Sequence, residues 1–238
     1  MPHVPVAVVT GASRGLGAGL AEAFAAAGVA VGLCARGEPV LTDGPGVVRR
    51  RVDVADAEEV ERFAGEVAGT LGPIDLWVNN AGILGPILPL RDADPAEVAQ
   101  VLRIDVLGVV HGTQSFLRHC SDDAVLVNIS SGAGTTPYAG WSAYCAAKAA
   151  VDLLTEVVAI EQPAIRAYAV APGVVDTEMQ AQIRATSADR FPTVDRFLAM
   201  KADDAFNSPA WVATRLLDLA FGDWRPATVR VRLPDEPR

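Results

Sequence analysis

The chain has 238 residues, half of them hydrophobic, and a net charge of −9. That is enough apolar sequence for one sizeable core, and no Ser/Gly-rich tract, charge block or internal repeat divides it, so residues 1–238 read as a single domain. The acidity argues against nucleic acid or anionic lipid as a partner, and the longest uncharged stretch, Ala124 to Ala147, is too interrupted by polar residues, glycine and proline to span a membrane.

Met1-Pro2-His3-Val4-Pro5 has neither the basic region nor the apolar run of an export signal, and a cytoplasmic protein is expected. Cys34, Cys120 and Cys145 are widely spaced and lack a metal-ligand pattern, which fits free thiols in a reducing compartment and no metal.

In chain order, strands and helices alternate. Val6 to Val9 is a β-branched apolar run, followed by Thr10-Gly11-Ala12-Ser13-Arg14-Gly15-Leu16-Gly17 and an alanine-rich helix to Ala27. Strand, glycine turn and helix in this order let backbone approach a pyrophosphate at a helix N-terminus, where free N–H groups and the dipole favour anions. Val29 to Ala35 is the second strand, with Arg36 directly after it. Arg14 and Arg36 would bracket a ribose 2′-phosphate, unless both are merely solvated; an acid in place of Arg36 would instead suit a free 2′-hydroxyl. A third strand spans Val47 to Val54, including Asp53, and an amphipathic helix spans Ala57 to Ala68.

The fourth strand, Ile74 to Val78, leads into Asn79-Asn80-Ala81-Gly82 at the strand end where open α/β sheets bind ligands, with a plain turn as the alternative. Asp94-Pro95 starts a long helix predicted to reach Arg118, with Asp105 inside it. Val125 to Ile129 is the fifth strand, Ala143 to Ala159 a helix and Ile165 to Val170 the sixth strand, which turns out through Pro172-Gly173-Val174-Val175-Asp176-Thr177. Residues 178–205 have helical stretches broken by Pro192 and are expected to be either a lid over a substrate or an ordinary surface hairpin. A last helix covers Trp211 to Leu219, a seventh strand Ala227 to Arg232, and Pro234 to Arg238 reads as a frayed tail.

One stretch carries the chemistry. Ser131 is followed, twelve residues on, by Tyr144, Cys145, Ala146, Ala147 and Lys148, so helical spacing puts Tyr144 and Lys148 on one face. A unit charge at roughly 4 Å and an effective dielectric of about 20 is worth at most ~4 kcal/mol, enough to draw a phenol from near pH ~10 toward neutrality. The bland alternative is an aromatic ring packed under a lysine stem.

Taken together, TGASRGLG, Asp53-Val54, NNAG, Ser131 with YCAAK, and PGVVDT resemble the short-chain dehydrogenase/reductase family. GWSAYCAAK and PGVVDTEMQAQIR are most similar to its sepiapterin reductase and bacterial benzil reductase members. The resemblance implies a doubly wound α/β Rossmann-type domain, with about seven parallel strands in the order 3-2-1-4-5-6-7, helices on both faces and NADP(H) as cofactor. By position, Gly11, Ser13, Arg14, Gly15, Leu16 and Gly17 would hold the phosphates, Arg36 the 2′-phosphate, and Asp53 and Val54 the adenine. Asn79, Ala81 and Gly82 would line the adenosine side, and Pro172, Gly173, Val175 and Thr177 the nicotinamide. Tyr144 would donate the proton, Ser131 would hydrogen-bond the carbonyl oxygen, and Lys148 would hold the ribose.

Asp105 stands where the family usually has an asparagine that supports the proton relay, so the resemblance implies a catalytic place for it, either in that relay or as a carboxylate that changes the pKa of Lys148; Arg230 stands where sepiapterin reductases carry a pterin-binding acid. The expectation is an NADPH-dependent carbonyl reductase of small aromatic ketones or vicinal diketones such as benzil, assembled as a homodimer or homotetramer. Tyr138, Trp141 and Met179 are the candidate substrate contacts. Pterin reduction, alcohol oxidation in reverse, and a nucleotide sensor without turnover remain the alternatives.

Overall fold

The computed structural model describes residues 4–237, so Met1 to His3 and Arg238 lie outside the described residues. Strand β1 (Val6–Thr10) is buried on both faces, as its unbroken apolar run requires. Its alternate residues feed two cores. Ala7 and Val9 pack with Leu20 and Phe24 of helix α1 (Gly15–Ala26) and with Leu216 of α8 (Pro209–Phe221). Val6 and Val8 face the other way, toward Val60 and Phe63 of α2 (Ala57–Leu71) and Phe116 of α4 (Gly108–His119). This two-residue period makes a sheet covered by helices on both sides.

The remaining strands are β2 (Ala30–Ala35), β3 (Val47–Arg51), β4 (Ile74–Asn79), β5 (Cys120–Ile129), β6 (Arg166–Ala171) and β7 (Arg230–Arg232). All seven pair in parallel in the order 3-2-1-4-5-6-7, so the expected topology is the one found. No helix among the described residues is long and apolar enough to cross a membrane.

Three expectations change in detail. The long helix is three pieces: α3 (Pro95–Leu102), capped by the Asp94 side chain on Ala96 N–H, a π-helical turn at Arg103–Leu107, and α4. A π turn inserts an extra residue into the helix, and here it contains Asp105, whose side chain is fully buried. The seventh strand keeps only the last three of its six expected residues. The tail is also not frayed where it is described: the Glu236 carboxylate accepts from Ser208 N–H at 2.6 Å and Ser208 Oγ at 3.0 Å, and Glu236 N–H donates to Asn207 Oδ1 at 2.7 Å.

Candidate active site

Parallel strands all end on the same edge of the sheet, and the loops leaving those ends surround a cleft of about 730 Å³. Tyr144 and Lys148 reach it from α5 (Ser142–Glu161), and Ser131 from the short turn after β5. The Lys148 ammonium lies 5.5 Å from the Tyr144 ring centroid and donates to Ile129 C=O at 3.1 Å. Ser131 Oγ accepts from Ala133 N–H at 3.2 Å, and Ser131 lies near enough to the Tyr144 phenol to favour its ionised form. The hydroxyl, phenol and amine that the sequence spaced apart therefore meet at one point.

The electrostatics depart from the simple pairing. Burial, the largest influence, pushes the Tyr144 phenol above its ordinary value; Lys148 pulls it down, and the carboxylate of Asp105 pushes it up again. Burial works against the Lys148 ammonium as well, but Asp105 and Tyr144 together hold its pKa above the usual lysine value. The predicted fall of the tyrosine toward neutrality is thus outweighed by desolvation.

Asp105 is the third buried member. Its Oδ1 accepts from Ile83 N–H at 2.8 Å, while Oδ2 lies 3.5 Å from Lys148 Nζ without a hydrogen bond of its own. Burial raises its pKa against the opposing pull of Lys148. Gly82 suits this neighbour, since a Cβ there would sit 3.1 Å from Asp105 Oδ2.

At the other end, Gly11, Ser13, Arg14, Gly15, Leu16 and Gly17 line the cleft with Arg36, Asp53, Val54, Ala81 and Gly82, and Pro172, Gly173, Val175 and Thr177 line it from β6 outward. Asn79 is the exception. Its amide lies in a buried network, accepting from Trp77 Nε1 at 2.7 Å and donating to Asn128 Oδ1 at 2.8 Å, so it braces β4 against β5. Asn80 lines the cleft instead and donates to Thr10 C=O at 2.8 Å. Strand alternation carries the reason: consecutive residues at the end of β4 face opposite ways.

Two arginines have carboxylate partners that the sequence did not show. Arg14 pairs with Glu178, both exposed, so Arg36 alone stands without a carboxylate among the described residues at the end of β2. Arg230 is turned away from the cleft and donates to Glu156 at 2.7 Å; Arg232, two residues on, lines the cleft. Both arginines lie on one face of the three-residue β7, and the Glu156 carboxylate holds the first of them away from the cleft.

Tyr138, Trp141 and Met179 all reach the cleft, but Trp141 is only 5% exposed. It stacks on Phe191 at 4.5 Å and meets Tyr144 edge-on at 5.7 Å. It therefore joins the 178–205 segment to α5 and has little ring left for a ligand. That segment contains α6 (Glu178–Arg184) and α7 (Val194–Ala202), tied down where Asp176 accepts from Arg184 at 3.0 Å. Arg196, a cleft residue that no sequence pattern singled out, lies on α7.

A family model described as short chain dehydrogenase matches residues 5–188. The chain belongs to this family. Short chain dehydrogenases are oxidoreductases acting on alcohol and ketone groups with NAD(P)(H). Among curated relatives, the benzil reductase ((S)-benzoin forming) of Bacillus cereus is 32% identical, over 96% of this chain and 98% of its own. The sepiapterin reductase of Meriones unguiculatus is 36% identical over 92% of each. The crystal structure of the KRED1-Pglu enzyme superposes with a TM-score of 0.85 at 30% identity, covering 96% of this chain and all of the other.

The glycine turn of this family member fits a dinucleotide. Gly11 has φ +70, and a Cβ on it would fall 2.8 Å from the backbone of Ala81. A Cβ on Gly17 would fall 2.4 Å from both Asn80 Nδ2 and Gly11 O, so Gly17→Ala must push the turn outward into the space left for phosphate. That variant is expected to bind its reduced nicotinamide cofactor, NADH or NADPH, at least about tenfold more weakly by fluorescence titration while keeping its secondary structure. Binding within twofold of wild type would show that the turn does not hold the cofactor.

Proposed function

We propose that this short chain dehydrogenase is an NADPH-dependent reductase of small aromatic ketones and vicinal diketones. The observation that carries the reading is the convergence of Tyr144, Ser131 and Lys148 at the mouth of one cleft whose far end is the glycine turn. The cofactor, when bound, supplies hydride to the carbonyl carbon. Tyr144 then gives its proton to the carbonyl oxygen, which Ser131 holds by a hydrogen bond. Lys148, anchored on Ile129 C=O, keeps a positive charge under the phenol as that proton leaves and holds the ribose. Asp105 positions Lys148 and the Ile83 backbone.

Preference for NADPH is supported by Arg36, free of carboxylates among the described residues, and by Arg14. The exposed Arg14–Glu178 pair is worth about 0 to 1 kcal/mol, less than the roughly 1.5 to 3 kcal/mol of a charge-assisted bond to phosphate, so Arg14 exchanges partners readily. Helices α6 and α7 serve as a lid within a single domain. An exposed apolar row on α5, Leu153, Val157 and Ile160, supports a homo-oligomer.

For the substrate, Arg232 and not Arg230 is the cationic cleft residue of β7, and it offers only donors where a pterin would present donors of its own. Each such mismatch costs about 1 to 3 kcal/mol, whereas a diketone presents two acceptors. The test is kcat/KM for benzil and sepiapterin, each with NADPH and NADH. Benzil with NADPH is expected to lead by at least about tenfold on both comparisons; a higher value for sepiapterin, or equal use of the two cofactors, would refute the corresponding half of the reading.

A further inference from the structure

Although the chain as a whole is strongly acidic, the cleft is not. Its lining includes five cations, Arg14, Arg36, Lys148, Arg196 and Arg232, against the three acids Asp53, Asp105 and Glu178. Asp105 faces Lys148, Glu178 faces Arg14, and Asp53 Oδ1 accepts from Ala55 N–H at 3.0 Å. Arg36, Arg196 and Arg232 are left without a carboxylate partner among the described residues.

Arg36 and Arg232 cannot serve the same ligand group. They follow or end strands five places apart in the sheet, roughly 24 Å at the spacing of neighbouring strands. Arg232 sits instead at the substrate end. It pairs in register with Ala171 on β6, and its side chain reaches back across that strand until Nη1 lies 4.0 Å from where a Cβ on Gly132 would be. Gly132 is the residue after Ser131. On the lid side, Arg196 donates to the Tyr138 hydroxyl at 3.1 Å, which holds it at the cleft and leaves its remaining donors unused.

We propose that Arg232, assisted by Arg196, selects ketones that carry a carboxylate a few bonds from the reacting carbonyl. This rests on the carbonyl-reductase reading above and deepens it: the second oxygen of a vicinal diketone is replaced by a charged group that a guanidinium grips through two parallel hydrogen bonds. Neutral diketones remain substrates through the same acceptor position, but more weakly. The cleft is open to solvent at Arg232, which is exposed, so salt weakens the selection.

The experiment compares benzoylformate and levulinate, each with its methyl ester, as substrates of wild type, Arg232→Gln and Arg196→Gln. Within each pair the ester adds one methyl group and removes the charge next to or near the ketone. At least one acid is expected to exceed its ester about tenfold in kcat/KM, chiefly through KM, with Arg232→Gln bringing the ratio close to one and Arg196→Gln lowering it less. Binding of the same compounds, read by titration calorimetry, is expected to show the same ratios. Esters equal to or better than acids in both pairs, or an undiminished ratio in Arg232→Gln, would overturn the proposal. If no ketone is reduced at all, the reductase reading fails, and the binding ratios alone decide this one.

Discussion

Tyr144→Phe is expected to lower kcat for ketone reduction by about 1,000-fold and to change NADPH affinity by less than twofold. The substitution removes one oxygen and its proton and leaves the ring against Trp141, so nothing else at the site has cause to move. General acid catalysis by one positioned group is worth about 10²- to 10⁴-fold, and no neighbour replaces it here. Ser131 has a hydroxyl far less acidic than a phenol, and the Lys148 ammonium is held by Ile129 C=O and Asp105. Because burial keeps the Tyr144 phenol above its ordinary value, it carries its proton at neutral pH, the state a donor requires. Reduction should accordingly persist across neutral pH. Steady-state kinetics and a cofactor titration on the same preparation check both halves; a kcat within tenfold of wild type would remove Tyr144 from the chemistry.

The second large effect concerns stability as well as turnover. Lys148→Met removes the cation facing Asp105, whose side chain is wholly buried, and leaves a carboxylate with one hydrogen bond, from Ile83 N–H. Breaking a buried pair from one side costs about 3 to 5 kcal/mol, because the remaining charge is neither solvated nor neutralised. The pH dependence has a definite sign. Burial raises the pKa of Asp105 above its ordinary 3.8, and losing Lys148 removes the main opposing influence and raises it further. In the variant, the folded state therefore binds this proton more tightly than the unfolded chain. The penalty is absent below the ordinary carboxyl value and grows as pH rises through the raised one, so urea unfolding should separate variant from wild type little near pH 4 and strongly at pH 8. Adding Asp105→Asn should restore most of the stability and none of the activity. A single variant as stable as wild type at pH 8, or a double variant no more stable than the single, would show that Asp105 and Lys148 are not coupled.

The fold was legible in the chain because its signals are local and repeated. Continuous apolar strands such as Val6–Thr10, the glycine turn after it and the Asp94-Pro95 helix start are properties of a few adjacent residues. Ser131, Tyr144 and Lys148 could likewise be singled out, since Tyr144 and Lys148 share a helix face whatever surrounds them. What sequence could not decide was direction and company. Asn79 and Asn80 are neighbours of the same type, and only pairing within the sheet turns one into the core and the other to the cleft. Arg230 and Arg232 share a face of β7, yet Glu156 on α5 captures the first, and the crossing of β6 brings the second to Gly132. The tyrosine's acidity shows the same division. A lysine four residues away predicts a lowered pKa, but the burial and the distant Asp105 that reverse it come from α5 packing beside the π turn, an arrangement set by tertiary structure and invisible at a spacing of four.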